Sequence, residues 1–315
     1  MAQALHALIT FDCPPEVLEP LRALGVHIER SPPQDSEAQM CRAIANKHAL
    51  LCHPFAPVTR AVIAAAPYLR VVSTAAVGYD NIDLAELRER GIALGHTPGL
   101  VVEATADVAY ALILGVMRRM FSGDRYARAG GWLASPDALG HDLAGKVLGI
   151  LGMGAIGMAV ARRARASGMS IAYANRRPRS DAPEASYLSL DALLAAADCL
   201  CILAPLSPQT YRLVDAAALA KMKPGAYLVN AARGAIVDTH ALYDALASGR
   251  LAGAAVDVID PEPIGPGHPL LSLATFSLTP HIGTSTVETR LAMTRLCVAN
   301  AAAALRGEPM PAAVT

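Results

Sequence analysis

The segment that most constrains the fold of this chain is VLGILGMGAIG at positions 147–157. A short apolar run, typical of a buried strand, ends in the pattern G-x-G-x-x-G, and an alanine-rich helical pattern follows directly. In such a strand–turn–helix unit the three glycines make a tight turn, let the backbone approach a pyrophosphate and pack the helix closely on the strand. The pattern predicts a dinucleotide-binding loop formed by Gly152, Met153, Gly154, Ala155, Ile156 and Gly157.

The residues after the next predicted strand, 170–174, indicate which dinucleotide binds. NAD-specific sites usually carry an acidic residue about 20 positions beyond the glycines, where it binds the ribose hydroxyls. Here the strand is followed by Asn175, Arg176 and Arg177, and no acidic residue occurs before Asp181. Because guanidinium groups bind phosphate in a bidentate fork, we predict NADP(H) as the preferred cofactor and NAD(H) as the alternative. The alternative is a solvated basic loop, but the position of these residues directly after the strand favours phosphate binding.

Composition restricts the classes to which the chain can belong. Its 315 residues suffice for two domains, and 53% hydrophobic against 17% charged residues is typical of a compact folded protein. The formal net charge is zero, so neither a nucleic-acid-binding nor a membrane-binding surface is expected. No signal peptide or membrane span is recognised, and we predict a cytoplasmic protein. The six cysteines lack zinc-binding spacing, so we predict no metal site and expect reduced packing residues.

Strand and helix patterns alternate along the chain in two series, which predicts parallel sheets covered by helices. The predicted strands of the first series are 4–10, 26–29, 49–52, 69–73 and 92–94, with helical patterns at 15–23, 37–45 and 58–66. The predicted strands of the second series are 147–151, 170–174, 199–203, 226–230, 254–258 and 275–279. Between the series lie a long helical pattern at 102–120 and a less regular stretch at 121–142, and a last helical pattern covers 285–305.

This order predicts an α/β protein with two Rossmann-like, doubly wound parallel-sheet domains. The dinucleotide-binding domain, residues 99–283, is expected to be inserted within a smaller substrate-binding domain. The smaller domain would comprise residues 1–98 and 284–315, because the last helical pattern is long enough to return to the first series.

Three polar side chains that each follow a predicted strand of the second series are candidates for catalysis. They are Arg233, Glu262 and His281. Carboxyl ends of parallel strands meet at one edge of a sheet, where α/β proteins bind ligands. A bound nicotinamide can deliver hydride, while a carbonyl substrate also needs a proton donor and an anchor for its charge. Taken singly, each residue could be structural, and it is their shared edge that favours a catalytic set.

Six motifs, in order along nearly the whole chain, resemble the D-isomer-specific 2-hydroxyacid dehydrogenase family. They are AAVGYDNID (75–83), HTPGLVVEATADVAYALIL (96–114), LGILGMGAIG (148–157), KPGAYLVNAARGAIVD (223–238), DVIDPEP (257–263) and LTPHIGTSTVETR (278–290). Within that family the sequence most resembles the short NADPH-dependent glyoxylate/hydroxypyruvate and hydroxyphenylpyruvate reductases.

The resemblance implies a role for each matching residue. His281 matches the family's proton donor, Glu262 the carboxylate paired with it, and Arg233 the residue that binds the substrate carboxylate. Val77 and Gly78 match the segment whose backbone N–H groups help to hold that carboxylate. The implied cofactor contacts are Thr105, residues 152–157, Asn175, Arg176, Arg177, Pro205, Ala231, Ala232, Arg233 and Asp257, the last of which would meet the nicotinamide amide.

The activity implied by the resemblance is NADPH-dependent reduction of small 2-oxo acids, chiefly glyoxylate and hydroxypyruvate, to D-2-hydroxy acids. Alternative substrates are a bulkier 2-oxo acid such as hydroxyphenylpyruvate or 2-ketogluconate, or else phosphite or, least expected, formate. A different class of alternative is a non-catalytic dinucleotide-sensing protein like the corepressors that share this fold. The resemblance also implies a homodimer formed by about residues 102–143, with Trp132 either reaching the neighbouring active site or buried in its own subunit.

Overall fold

The structure is a computed structural model that describes residues 4–31, 36–132 and 139–314. The chain divides into two compact units, which we call unit 1 (Met1–Val101 with Ser285–Thr315) and unit 2 (Val102–Thr284). Each unit is built on one parallel sheet, of five strands in unit 1 and seven in unit 2. The predicted α/β fold with two parallel-sheet domains is confirmed.

The strands and helices are numbered along the chain. The strands are β1 (His6–Ile9), β2 (His27–Arg30), β3 (Ala49–Cys52), β4 (Val71–Thr74), β5 (Ala93–Gly95), β6 (Val147–Leu151), β7 (Ser170–Ala174), β8 (Ser186–Tyr187), β9 (Cys199–Ile202), β10 (Ala226–Asn230), β11 (Leu251–Val256) and β12 (Phe276–Leu278). The helices are α1 (Glu19–Arg22), α2 (Glu37–Ile44), α3 (Arg60–Ala64), α4 (Leu84–Glu89), α5 (Val102–Met117), α6 (Met120–Arg128), α7 (Ala155–Ala166), α8 (Leu190–Ala196), α9 (Ala216–Lys221), α10 (Thr239–Ala247) and α11 (Val287–Arg306).

The sheet of unit 1 has the strand order β2-β1-β3-β4-β5, and its inner strands β1, β3 and β4 are buried while the edge strand β2 is mostly exposed. Successive residues of a strand point to opposite faces. Ala7 and Ile9 of β1 accordingly belong to the core that includes α1 and α11, while Leu8 belongs to the core that includes α2 and α3. Burial on both faces explains why β1 and β3 are nearly continuous apolar runs in the sequence.

The carboxyl-terminal residues cover the open edge of this sheet. The N–H of His96 donates to the Ala312 carbonyl at 3.1 Å, and the N–H of Val314 donates to the Leu94 carbonyl at 2.8 Å. Asn300, on α11, fixes the segment by accepting from the Ala312 N–H at 2.9 Å and donating to the His96 carbonyl at 3.0 Å. The backbone groups of β5, which would otherwise be exposed, are therefore paired.

The sheet of unit 2 has the order β12-β11-β10-β9-β6-β7-β8, and all its pairs are parallel. The chain starts this sheet at β6, moves outward to β8, and then returns to β9 on the other side of β6. This reversal of strand order is the topological switch point at which open α/β sheets bind ligands, at the carboxyl ends of the strands. The glycine loop follows β6 and therefore lies at the switch point.

Two local predictions are wrong. The helix predicted at 102–120 ends at Met117, because Arg119 adopts a left-handed backbone conformation with φ of 55°. The stretch predicted as irregular begins instead with α6, of which no residue is buried. A helix without a buried face lacks the apolar stripe from which helices are predicted. Residues 133–138 of that stretch lie outside the described residues.

The cysteines and the helices give no sign of a disulfide or of a membrane span. All six cysteines are free thiols, and burial raises the pKa of Cys52 and Cys201 to about 12. These two thiols therefore stay protonated and unreactive near neutral pH. None of the helices in the described ranges is both long enough and apolar enough to cross a bilayer.

Candidate active site

The three glycines of the loop between β6 and α7 have different surroundings. Gly152 has φ of 101°, and a Cβ there would lie 2.4 Å from the Ala204 backbone nitrogen, so only glycine fits this turn. A Cβ at Gly157 would lie 2.8 Å from the Gly152 carbonyl oxygen, which shows how closely α7 packs on the loop. A Cβ at Gly154 would have no atom within 4 Å. The space at Gly154 is therefore open to a ligand.

Helix α7 starts directly at this open space. Its N-cap is Gly154, which supplies no side-chain hydrogen bond to the first turn. The N–H groups at the start of the helix are thus left without a side-chain cap, and they carry the positive end of the helix dipole. Three features therefore fit the pyrophosphate of a dinucleotide: the open space at Gly154, the uncapped start of α7, and the position of the loop at the switch point of the sheet.

Asn175, the first residue after β7, binds the glycine loop itself. Its side-chain oxygen accepts from the Met153 N–H at 2.7 Å, and its side-chain nitrogen donates to the Met153 carbonyl at 3.3 Å. Arg176 and Arg177 follow, are exposed, and form no ion pair with any other residue that the structure describes. Asn175 therefore shapes the loop, while the two guanidinium groups are available to an anion.

A third arginine, which the sequence analysis did not select, lies at the same place. Arg179 donates from Nη1 to the Met153 carbonyl at 3.3 Å, and its own N–H donates to the Tyr173 hydroxyl at 2.8 Å. Its guanidinium binds both carboxylate oxygens of Asp181, at 2.8 and 2.5 Å. The hydrogen bond from Arg179 lowers the pKa of Asp181. The signal was available in the sequence, since this residue belongs to the same arginine-rich run.

The three catalytic candidates, Arg233, Glu262 and His281, follow strands β10, β11 and β12, which are adjacent and parallel. Buried Asn230 ends β10 and shapes the loop after it, accepting from the Ala232 N–H at 3.0 Å and donating to the Arg233 carbonyl at 2.9 Å. A Cβ at Gly234 would lie 2.0 Å from the carbonyl carbon of Ile259. The backbone that carries Arg233 therefore touches the loop that leads to Glu262.

His281 and Glu262 form the most direct contact of the site. Nδ1 of His281 lies 2.6 Å from Oε1 of Glu262, and the two side chains are 24% and 29% exposed. Because the carboxylate accepts, Nδ1 carries the proton of this hydrogen bond. The pair is sheltered but accessible, as a proton donor to a bound substrate must be. The sequence placed these residues 19 positions apart, and the fold brings them together.

Asp257 and Thr105 lie beneath the loop that carries His281. Asp257 is 3% exposed, and its carboxylate accepts hydrogen bonds from three residues of the segment 279–283. A Cβ at Gly283 would lie 3.2 Å from Asp257 Oδ2 and 3.4 Å from Thr105 Cγ2. Asp257 therefore supports the segment 279–283, and Thr105 lies close to Gly283.

The remaining predicted residues are placed as follows. Pro205 is exposed after β9, and its carbonyl accepts from the Thr210 hydroxyl at 2.7 Å. Val77 and Gly78 belong to unit 1, after β4, where the Val77 carbonyl lies 3.1 Å from His96 Nδ1. Trp132 is 83% exposed, so the alternative of a tryptophan buried in its own subunit is wrong.

The described ranges contain no group of three or more His, Cys, Asp or Glu side chains arranged to hold a metal ion.

Comparison with known proteins agrees with this geometry. Residues 110–283 match the model of the D-isomer specific 2-hydroxyacid dehydrogenase NAD-binding domain. The glyoxylate reductase of Thermofilum pendens is 41% identical over 296 residues, covering 92% of this chain and 87% of that protein. The chain belongs to the D-isomer specific 2-hydroxyacid dehydrogenase family.

Two further members of the family are similar along most of their length. Glyoxylate/hydroxypyruvate reductase B of Yersinia pestis is 46% identical over 248 residues, covering 77% of this chain and 76% of that protein. The crystal structure of an NADPH-dependent glyoxylate/hydroxypyruvate reductase from Sinorhizobium meliloti, in complex with NADP and malonate, superposes with a TM-score of 0.86. It is 32% identical, and the match covers 99% of this chain and 97% of that one. The chain is therefore a family oxidoreductase with a Rossmann NAD-binding domain.

Proposed function

We propose that this dehydrogenase reduces small 2-oxo acids, glyoxylate and hydroxypyruvate, to D-2-hydroxy acids with NADPH. The observation that carries the proposal is the 2.6 Å contact between His281 and Glu262, at the sheet edge where the Arg233 loop also ends. Relatives named glyoxylate reductase and glyoxylate/hydroxypyruvate reductase support the substrate class. In this proposal unit 2 binds the dinucleotide.

The residues divide the work of carbonyl reduction between them. A bound reduced nicotinamide would supply the hydride. His281, protonated at both ring nitrogens, donates the Nε2 proton to the carbonyl oxygen, and Glu262 at Nδ1 stabilises the imidazolium before the transfer. After the transfer Nδ1 keeps its proton, so the neutral ring retains its orientation toward Glu262.

Arg233 supplies the anchor for the substrate's charge. A guanidinium can bind a carboxylate with two parallel hydrogen bonds, which fixes the direction of the neighbouring carbonyl. For Val77 and Gly78, backbone contacts with a substrate carboxylate stay a prediction from the sequence. One anchor and one proton donor are sufficient for a 2-oxo acid, and no metal ion is required.

The arginines after β7 carry the proposed preference for NADPH. Arg176 and Arg177 are exposed beside the glycine loop, and Arg179 reaches the Met153 carbonyl. A 2′-phosphate brings about two negative charges, which guanidinium groups bind more strongly than neutral ribose hydroxyls. The Sinorhizobium meliloti relative, which is described as NADPH-dependent and was crystallised with NADP, supports this choice.

The activity is tested by following NADPH absorbance with glyoxylate, hydroxypyruvate, 4-hydroxyphenylpyruvate and 2-ketogluconate. We expect turnover of the first two, and a loss of about 10²–10⁴-fold in kcat/KM for His281→Ala and for Arg233→Ala. His240→Ala, at an exposed position on α10, is the matched control and should retain activity. NADPH binding without turnover of any substrate would instead favour a non-catalytic dinucleotide-sensing protein.

The cofactor preference is tested with the double variant Arg176→Ala, Arg177→Ala. Loss of charge-assisted phosphate contacts should raise KM for NADPH by about 10–100-fold and leave KM for NADH nearly unchanged. The double variant Arg22→Ala, Arg60→Ala, which changes two exposed arginines of unit 1, controls for the change in net charge. An equal change of KM for both cofactors would contradict a role in phosphate recognition.

We also propose a homodimer formed through the region 102–143. Helix α6 has no buried residue, and three large apolar side chains in or just after it are exposed, Met120, Tyr126 and Trp132. A chain with this much exposed apolar surface in one segment gains free energy by burying it against another copy.

A further inference from the structure

We propose that Asp257 is a positioning residue that sets the backbone conformation of His281. The proposal rests on the proposed reductase function, because His281 acts as proton donor only within it. Asp257 directly follows β11 and is almost completely buried. It belongs to the strand end next to the one that carries His281.

Asp257 holds the His281 segment at four points. Its Oδ1 accepts from the Thr279 hydroxyl at 2.6 Å and from the Ile282 N–H at 2.8 Å. Its Oδ2 accepts from the Gly283 N–H at 2.8 Å. Its backbone carbonyl accepts from the His281 N–H at 2.9 Å. The residues on both sides of His281, and His281 itself, are therefore bound to one aspartate.

This support is needed because His281 has φ of 53°, in the left-handed region that is uncommon for non-glycine residues. Such a conformation persists only where its surroundings fix it. The hydrogen bonds to the N–H groups of Ile282 and Gly283 fix the backbone immediately after His281. That backbone directs the imidazole toward Glu262.

The chemistry of the contacts requires a carboxylate. All three partners of the Asp257 side chain donate, and an ionised carboxylate only accepts. An asparagine would place an amide N–H group against at least one of these donors. Three of the roughly four acceptor positions of the carboxylate are occupied within the loop.

The first test observes His281 in the cofactor-free protein, so it does not depend on turnover. The imidazole NMR signals of His281 are assigned by their loss in His281→Gln and compared in Asp257→Asn and Thr279→Val. We expect both variants to move the His281 signals and to leave those of exposed His240 in place. Thr279→Val removes only the hydroxyl that donates to Asp257. It therefore tests the same contact if Asp257→Asn fails to fold. Thr294→Val, a similar change on α11 of unit 1, should move neither histidine.

The second test separates positioning from contact with the nicotinamide. Turnover of glyoxylate is measured with NADPH and with its reduced 3-acetylpyridine analogue, which lacks the carboxamide nitrogen. We expect kcat to fall about 100-fold in Asp257→Asn and less in Thr279→Val, by the same factor with both cofactors. A loss confined to NADPH would show that Asp257 acts on the carboxamide and would overturn the inference.

The two proposals fail in different ways. If the wild-type protein turns over no 2-oxo acid, the proposed function is wrong. If the His281 signals are unchanged in both Asp257→Asn and Thr279→Val, the positioning role is wrong, while the proposed function can still hold because the wild-type enzyme can be fully active.

Discussion

At the scale of single residues, buried His48 makes the stability of unit 1 depend on pH. The residue is 2% exposed, and its Nδ1 accepts from the His6 N–H at 3.1 Å, so the ring is neutral with its proton on Nε2. Burial, with the charges of Arg70 and His6, lowers the pKa of His48 below its ordinary value of 6.5. As the pH falls below 6.5 the unfolded chain binds a proton that the folded chain does not, so stability decreases.

We therefore expect His48→Asn to reduce the acid sensitivity of folding. Asparagine can keep an acceptor for the His6 N–H but does not titrate near neutral pH. The melting temperature measured between pH 7.5 and 5 should fall less steeply in this variant than in the wild type. His27→Asn, at an exposed position, should leave the wild-type slope unchanged. Equal slopes for all three proteins would show that His48 does not contribute.

At the scale of elements, the β6–loop–α7 unit contains two glycines that the fold itself requires and one glycine that faces open space. A side chain at Gly152 or Gly157 would clash with nearby protein atoms. Gly154 instead faces open space, and its φ of −87° is one that alanine also adopts. The sequence motif alone does not make this distinction, since all three positions read simply as glycine.

Gly154→Ala should therefore fold normally and bind NADPH poorly. We expect a melting temperature like that of the wild type and a Kd for NADPH raised by about tenfold or more, because the methyl group occupies the space of the pyrophosphate. Gly265→Ala, also in open space, should change neither quantity. Gly157→Ala should lower the melting temperature as well as the affinity. A Gly154→Ala protein with wild-type affinity would show that the pyrophosphate does not approach this position.

At the scale of the whole molecule, the proposed homodimer predicts a particle of about twice the 32.8 kDa chain mass. Met120→Lys combined with Trp132→Lys places charges on the exposed apolar segment and should shift sedimentation toward the monomer. Val287→Lys, which changes a highly exposed apolar residue of unit 1, should leave the mass unchanged. A wild-type protein that sediments as a monomer at micromolar concentration would contradict the dimer.

Much of the fold and of the candidate site could be predicted because the deciding signals are local. The apolar runs that became β6, β7 and β10 are strands with the predicted bounds. The polar residues directly after strands, Arg233 and His281, lie at one sheet edge because parallel strands all end on the same side. These properties depend on a few consecutive residues and on the chirality of the fold, so the chain carries them without tertiary information.

Other properties were decided only by the tertiary structure. Asn175 binds the glycine loop across 22 residues, and Asp257 binds Gly283 across 26. The edge of β5 is covered by a segment more than two hundred residues later. In each case the partner is distant in sequence, so no periodic pattern links the two groups. The sequence by itself determined which residues reach the sheet edge, and the folded backbone determined which of them contact one another, because those contacts depend on distances that only folding sets.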